Sequence, residues 1–185
     1  EVQGQKASLE SLRALLHGGS PCPVALKRRL IDRLGPILIE YYAATEGGGI
    51  VITGKEWLEK PGSVGKPADD GAIAILDSGG RPLPHGAIGD VYFKSPEIGR
   101  FEYFNDPEKT AGAYRGDYFT VGDIGYLDDD GYLYLAGRSA EIVISTGINV
   151  YPAEVEAVIG QHPAVNDVAV VGVPSEMRGE EPKAI

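Results

Sequence analysis

Asp123 and Arg138 bracket two apolar runs, residues 124–127 and 132–136, that flank Asp128-Asp129-Asp130-Gly131. Aspartates followed by glycine between strand-like runs predict a hairpin turn, because glycine enters positive φ without steric cost. An antiparallel pair brings its open ends together, which sets the Asp123 carboxylate beside the Arg138 guanidinium. A carboxylate accepts from a vicinal diol, and a guanidinium donates to hydroxyl or phosphate oxygens. The pair therefore suits a ribose. A salt bridge closing the base of a hairpin is the other reading of the same two residues.

A second stretch with chemistry is Tyr42-Ala43-Ala44-Thr45-Glu46-Gly47-Gly48-Gly49. It follows an apolar run, residues 37–42, interrupted only by Glu40, as expected of a buried parallel strand. Ligands of open α/β sheets gather beyond the carboxyl ends of strands, so this turn is well placed. A carboxylate beside phosphate oxygens meets the needs of a hard, oxygen-seeking cation. A plain glycine-rich loop is the alternative. Upstream, His17-Gly18-Gly19-Ser20-Pro21 offers Gly18 and Gly19 for close backbone approach to a ligand. A loop punctuated by proline explains that segment equally well, and the lone His17 is given no chemistry.

The elements that must hold these residues follow from periodicity. Leu9, Leu12, Leu15 and Leu16 have helical spacing over residues 8–16, with Ser8 as a weak cap. Residues 24–34 predict an amphipathic helix, apolar at Val24, Leu26, Leu30, Ile31 and Leu34, with Lys27, Arg28 and Arg29 on a solvated basic face. A strand restarts at 51–53. From Ala72 onward, turn signals about every ten residues predict antiparallel strands at 72–77, 88–94 and 114–120. Asp106-Pro107 signals a helix start among them. A short strand is expected at 141–144, and a tight loop at 145–149. A helix opening at Pro152 has Val155, Val158 and Ile159 on one face, and a strand follows at 167–173. The final strand has no evident partner.

A 185-residue chain, 43% hydrophobic and 24% charged, reads as ordinary globular protein with a real core. Its net charge of −10 argues against a nucleic-acid partner. No apolar run approaches the roughly 20 residues that span a bilayer. One cysteine, Cys22, excludes a disulfide framework, and a cytoplasmic location is expected. Both ends read as cut, the chain closing on Glu181-Pro182-Lys183-Ala184-Ile185 as another strand begins.

Thr120-Val121-Gly122-Asp123, Gly137-Arg138, Ser145-Thr146-Gly147-Ile148-Asn149 and the segment from Tyr42 to Glu46 together resemble the acyl-adenylate-forming enzymes. That group contains acyl-CoA synthetases, peptide-synthetase adenylation domains and luciferases. The resemblance covers about residues 8–185. It implies an α/β (α+β) fold: the end of a large nucleotide-binding domain at 1–137, with a small antiparallel β-barrel-like subdomain at 72–137. A hinge at 138–140 and an incomplete, mobile α+β C-terminal domain at 141–185 would follow. By the same resemblance, Gly18, Gly19 and Ser20 line the acyl and adenine pockets, and Tyr42 stacks on adenine. Thr45 touches the α-phosphate, Glu46 helps hold Mg2+, and Asp123 and Arg138 bind the ribose. Ser145, Thr146 and Gly147 lie beside the pantetheine tunnel, and Ala140 is the pivot. Ala43 stands where the family usually has glycine, and Ala140 where it usually has Asp or Lys.

The implied partners are a small carboxylic acid, expected to be fatty, with ATP, Mg2+ and CoA. The wording around Glu40-Tyr41-Tyr42 and Asn149-Val150-Tyr151-Pro152 favours an acyl-CoA synthetase. A peptide-synthetase adenylation domain and a non-catalytic nucleotide-binding module are the alternatives. The family's phosphate loop is expected upstream and its adenylation lysine beyond Ile185; Lys183 matches a different position. The chain by itself is therefore expected to be inactive.

Overall fold

The computed structural model describes residues 9, 11–96, 99–175 and 177–185, so the Ser8 cap lies outside the described residues. Leu15–Gly18 (β1), expected to close a helix at residue 16, is a strand. Its Leu15 N–H donates to the Ile37 carbonyl at 2.9 Å. A helix of so few residues, broken at once by glycine and proline, is marginal in water, and pairing with a neighbouring strand satisfies the same backbone groups. Val24–Leu34 (α1) ends at Gly35, whose φ is 78° and whose N–H bonds to the Ile31 carbonyl. The inward row is Lys27 and Ile31, while Val24 and Leu26 are half exposed. Lys27, expected in solvent, is thus one of the most deeply buried side chains.

Leu38–Ala44 (β2) lies parallel to β1, Gly18 facing Tyr41, and antiparallel to Gly47–Thr53 (β3). The strand therefore begins at Gly47 rather than at Val51, and only Thr45 and Glu46 form the turn. Gly54–Glu59 (α2) was not anticipated. Yet Thr53 and Glu56 make reciprocal bonds at its start, the capping box that Thr53-Gly54-Lys55-Glu56 spells. Trp57, Ile31, Leu38 and Ile52 form one core under α1 and α2.

The middle of the chain builds a six-stranded antiparallel sheet. Its elements are Ile73–Leu76 (β4), Gly89–Lys94 (β5), Pro107–Ala113 (α3), Tyr114–Arg115 (β6), Tyr118–Phe119 (β7), Asp123–Leu127 (β8) and Leu133–Arg138 (β9). The strand expected over 114–120 is instead the hairpin β6–β7. β5 pairs with β4 along one edge; its other edge is shared, β8 at its start and β7 at its end. Phe93 and Phe119 face each other in this register and join Ile50, Ile73, Ile75, Val91 and Leu133 in the second core. A strap from Lys60 holds the β8–β9 hairpin from behind. The buried Ser63 hydroxyl and the Val64 N–H both donate to the Leu133 carbonyl, and Lys60 pairs with Asp128 (2.9 Å) and with Asp130 at the hairpin tip.

The last stretch carries Val143–Ser145 (β10), Ile148–Val150 (β11), Pro152–Ile159 (α4), Val170–Ser175 (β12) and Gly179–Ala184 (β13). They form a four-stranded sheet in the order β11-β10-β13-β12. The closing strand, expected to lack a partner, pairs antiparallel with β12 from Val170↔Ala184 to Ser175↔Gly179. On α4, Val155 and Ile159 are half-buried, but Val158 is exposed, so the expected apolar face is narrower. No described helix is long and apolar enough to cross a membrane.

Candidate functional site

The β8–β9 hairpin places Asp123 directly opposite Arg138. Arg138 Nε lies 3.2 Å from Asp123 Oδ1, with the carboxylate buried and the guanidinium mostly in solvent. Tyr42, from β2, donates its hydroxyl to the other oxygen, Asp123 Oδ2, at 2.5 Å. A buried carboxylate needs such partners, since desolvating an unpaired charge is costly. The Tyr42 phenol is pushed well above its ordinary range, first by burial and then by the bond to Asp123, so it stays a donor. Its ring sits 5.7 Å from Phe93. The expected ribose carboxylate and adenine-stacking aromatic are thus joined by a hydrogen bond across two sheets, a link the sequence does not disclose.

β1 and β2 run parallel, so Gly18-Gly19-Ser20 and the Thr45-Glu46 turn leave the same end of the pair. At Gly18 the close approach is to protein: a Cβ there would stand 2.6 Å from the Tyr41 carbonyl oxygen and ring. Gly19 and Ser20 are exposed beyond it. Ala43 pairs with Gly49 and is absent from the residues at positive φ, so its methyl group costs this backbone nothing. Gly48 does require glycine, having φ of 70° and a Cβ position 2.6 Å from the Phe93 ring. Thr45 is exposed. Glu46 is half-buried, and its Oε1 accepts from the Tyr103 hydroxyl at 2.9 Å.

Among the described residues no three His, Cys, Asp or Glu side chains group as a metal site. A cation of the Mg2+ type takes one or two carboxylates and completes its shell with phosphates and water, so Glu46 is a residue that could contribute to holding one. Thr146 and Gly147 make the two-residue turn of the β10–β11 hairpin, at φ 51° and 78°. Left-handed backbone is costly for β-branched Thr146, and the two-residue turn imposes it. Ser145 beside it is buried. Ala140 lies in an exposed 3-10 turn, Ser139–Glu141, directly after β9.

Sequence reasoning missed three residues around this site. Tyr103 holds Glu46 from 57 positions away. Lys27 forms a buried ion pair with Glu40, two residues before Tyr42 on the same face of β2. His17 stands opposite Glu40 with its Nε2 buried and unbonded, its pKa held below the ordinary imidazole range chiefly by burial. A charged Glu40 inside an apolar run was the available signal for a hidden cation.

Residues 1–101 match the AMP-binding enzyme family, and residues 154–185 match the AMP-binding enzyme C-terminal domain. The chain belongs to the AMP-binding enzyme family. A 2-succinylbenzoate–CoA ligase of Geobacillus kaustophilus is 40% identical over 98% of this chain and 37% of its own length. A long-chain-fatty-acid–CoA ligase of Bacillus subtilis is 35% identical over 97% of this chain and 32% of its own. Among solved structures, the amide bond synthetase of Marinactinospora thermotolerans superposes with a TM-score of 0.85 at 36% identity, over 96% of this chain and 37% of that one. The o-succinylbenzoate CoA synthetase of Bacillus subtilis, in complex with its acyl-adenylate intermediate, gives 0.82 at 32% identity, over 95% and 36%. The same synthetase, in complex with ATP and magnesium ion, gives 0.78 at 30% identity, over 95% and 38%. The chain spans about a third of the length of these relatives and shares their mixed α/β fold.

Proposed function

We propose that this chain is the nucleotide-gripping part of an ATP-dependent acid–thiol ligase. The observation that carries the reading is the Tyr42–Asp123–Arg138 cluster, fixed by hairpin register at the open end of β8–β9. In the proposed reaction a carboxylate oxygen attacks the α-phosphorus of ATP; pyrophosphate leaves and acyl-AMP forms. The thiol sulfur of CoA then attacks the acyl carbon and AMP departs. Asp123 accepts from the ribose hydroxyls while Arg138 donates to the same sugar, and Tyr42 offers its ring to adenine. Thr45 donates to the α-phosphate, and Gly18, Gly19 and Ser20 line the acyl and adenine side. Mg2+, held by Glu46 together with the phosphates, would offset charge on the departing pyrophosphate. Ser145, Thr146 and Gly147 border the path of the thiol.

The acid is proposed to be a fatty acid, which the long-chain relative supports, although a relative at 40% identity is named for 2-succinylbenzoate. Likeness to an amide bond synthetase favours a second reading, in which an amine takes the place of the thiol. A protein carrying this chain at the full length of its relatives is expected to exchange labelled pyrophosphate into ATP with the acid present, and to form a thioester on adding CoA. Exchange without a thioester would support the amine acceptor; absence of exchange with any acid would end the ligase reading. The 185-residue chain alone, a third of such a protein, is expected to form no acyl-AMP above background.

The division into residues 1–137, a hinge at 138–140 and a mobile part at 141–185 belongs to the same proposal. It is supported by the short exposed turn at Ser139–Glu141, whose Ser139 N–H bonds back to the Gly122 carbonyl. Ala140 supplies a backbone free to change φ and ψ without a polar side chain favouring either pose. Proline would fix φ near −65° there. Ala140→Pro in the full-length enzyme should depress one half-reaction at least about tenfold more than the other, an order-of-magnitude expectation for a trapped pose. Pyrophosphate exchange and thioester formation from supplied acyl-adenylate measure the two; equal losses would show that Ala140 is not the pivot.

A further inference from the structure

The segment between β5 and β6 has no place in the reading so far, yet it is built with care. Asp106 caps α3 by accepting from the Lys109 N–H at 2.9 Å, with Pro107 in the first turn. Thr110 donates to the Asp106 carbonyl at 2.8 Å and accepts the Tyr103 backbone N–H at 2.9 Å. Asn105 turns the chain at φ 54° between them. The Lys109 ammonium sits 4.1 Å from the centre of the Tyr103 ring, and Phe101 packs edge-on against that ring with centroids 5.3 Å apart. The Thr110, Lys109 and Phe101 contacts hold the tyrosine's backbone and ring. Its hydroxyl donates to Glu46 Oε1 at 2.9 Å.

We propose that Tyr103 is a positioning residue that aims the Glu46 carboxylate at a divalent cation shared with the nucleotide phosphates. The proposal rests on the reading of Glu46 as a metal ligand. A carboxylate at the tip of a two-residue turn has free χ angles, and one 2.9 Å hydrogen bond to Oε1 selects an orientation in which Oε2 stays open to the cation. Such outer partners of ligating carboxylates commonly set metal affinity by tenfold or more. The cation over the ring draws electron density from the phenol and strengthens it as a donor.

The test uses Mn2+ as a paramagnetic probe, titrated into the full-length protein saturated with a non-hydrolysable ATP analogue and followed by electron paramagnetic resonance. Tyr103→Phe keeps the ring, its packing and the Lys109 contact, and removes only the hydroxyl. It should weaken Mn2+ binding about three- to tenfold, the range expected for one hydrogen bond to a charged acceptor in a partly solvated site. Binding of the same analogue in EDTA should be unchanged, which a general structural fault would not allow. Glu46→Gln in parallel separates the two layers of the argument. If Glu46→Gln weakens Mn2+ while Tyr103→Phe does not, Glu46 stands as a ligand and Tyr103 loses its role. If neither variant matters, the metal reading of Glu46 fails and takes the proposal with it. Tighter Mn2+ binding in Tyr103→Phe, the mark of a hydroxyl competing with the cation, also overturns it.

Discussion

Replacing Lys27 by methionine is expected to destabilise the chain by about 3–5 kcal/mol, the usual cost of stranding one member of a buried ion pair. Lys27 and Glu40 are both buried, and the ammonium also lies 4.8 Å from the Trp57 ring. Removing the cation leaves the buried Glu40 carboxylate without its ammonium partner. The double variant Lys27→Met/Glu40→Leu should recover most of the loss, because an apolar pair of similar volume carries no desolvation penalty. Urea unfolding monitored by Trp57 fluorescence gives both values. A loss under about 1 kcal/mol in the single variant would mean that the pair is solvated and worth no more than a surface bridge. The consequence reaches the site, since Glu40 and Tyr42 lie on one face of β2 and Tyr42 must arrive at Asp123 in register.

How much of this could be read in advance depended on the range of each interaction. The β8–β9 hairpin was legible because its turn chemistry, alternation and end residues are all local, and the structure pairs Asp123 with Arg138 as expected. The start of α3 was legible for the same reason. α2 carried its own signal in Thr53 and Glu56, which is short and sits beside a strand, so the strand pattern masked it. β1 looked helical from its leucines because what decides it is a parallel partner more than twenty residues on. On α1 the fold uses only part of the expected apolar face: Ile31 is buried and Leu30 packs against the core, while Val24 and Leu26 are half exposed. The buried row follows Lys27 because Glu40 waits on β2, and no periodicity contains that fact. Tyr103 reached Glu46 by the same long-range route.

The second large effect belongs to Asp123. Asp123→Ala in the full-length enzyme should weaken ATP and the acyl-adenylate together, by about 10- to 150-fold, equivalent to about 1.5–3 kcal/mol for a charge-assisted hydrogen bond. The loss has two sources: the acceptor for the ribose diol disappears, and Arg138 and the Tyr42 hydroxyl lose the carboxylate that orders them. Affinity loss alone does not separate ribose recognition from that disorder, but the ligand can be varied as well as the protein. Calorimetric titration with ATP and with 2′,3′-dideoxy-ATP, each against the parent enzyme and Asp123→Ala, closes a cycle between the carboxylate and the diol. The account predicts that the parent discriminates against the dideoxy nucleotide by about tenfold or more and that Asp123→Ala binds both equally. Discrimination that survives undiminished in Asp123→Ala would contradict it, and would return Asp123 and Arg138 to a salt bridge at the base of a hairpin.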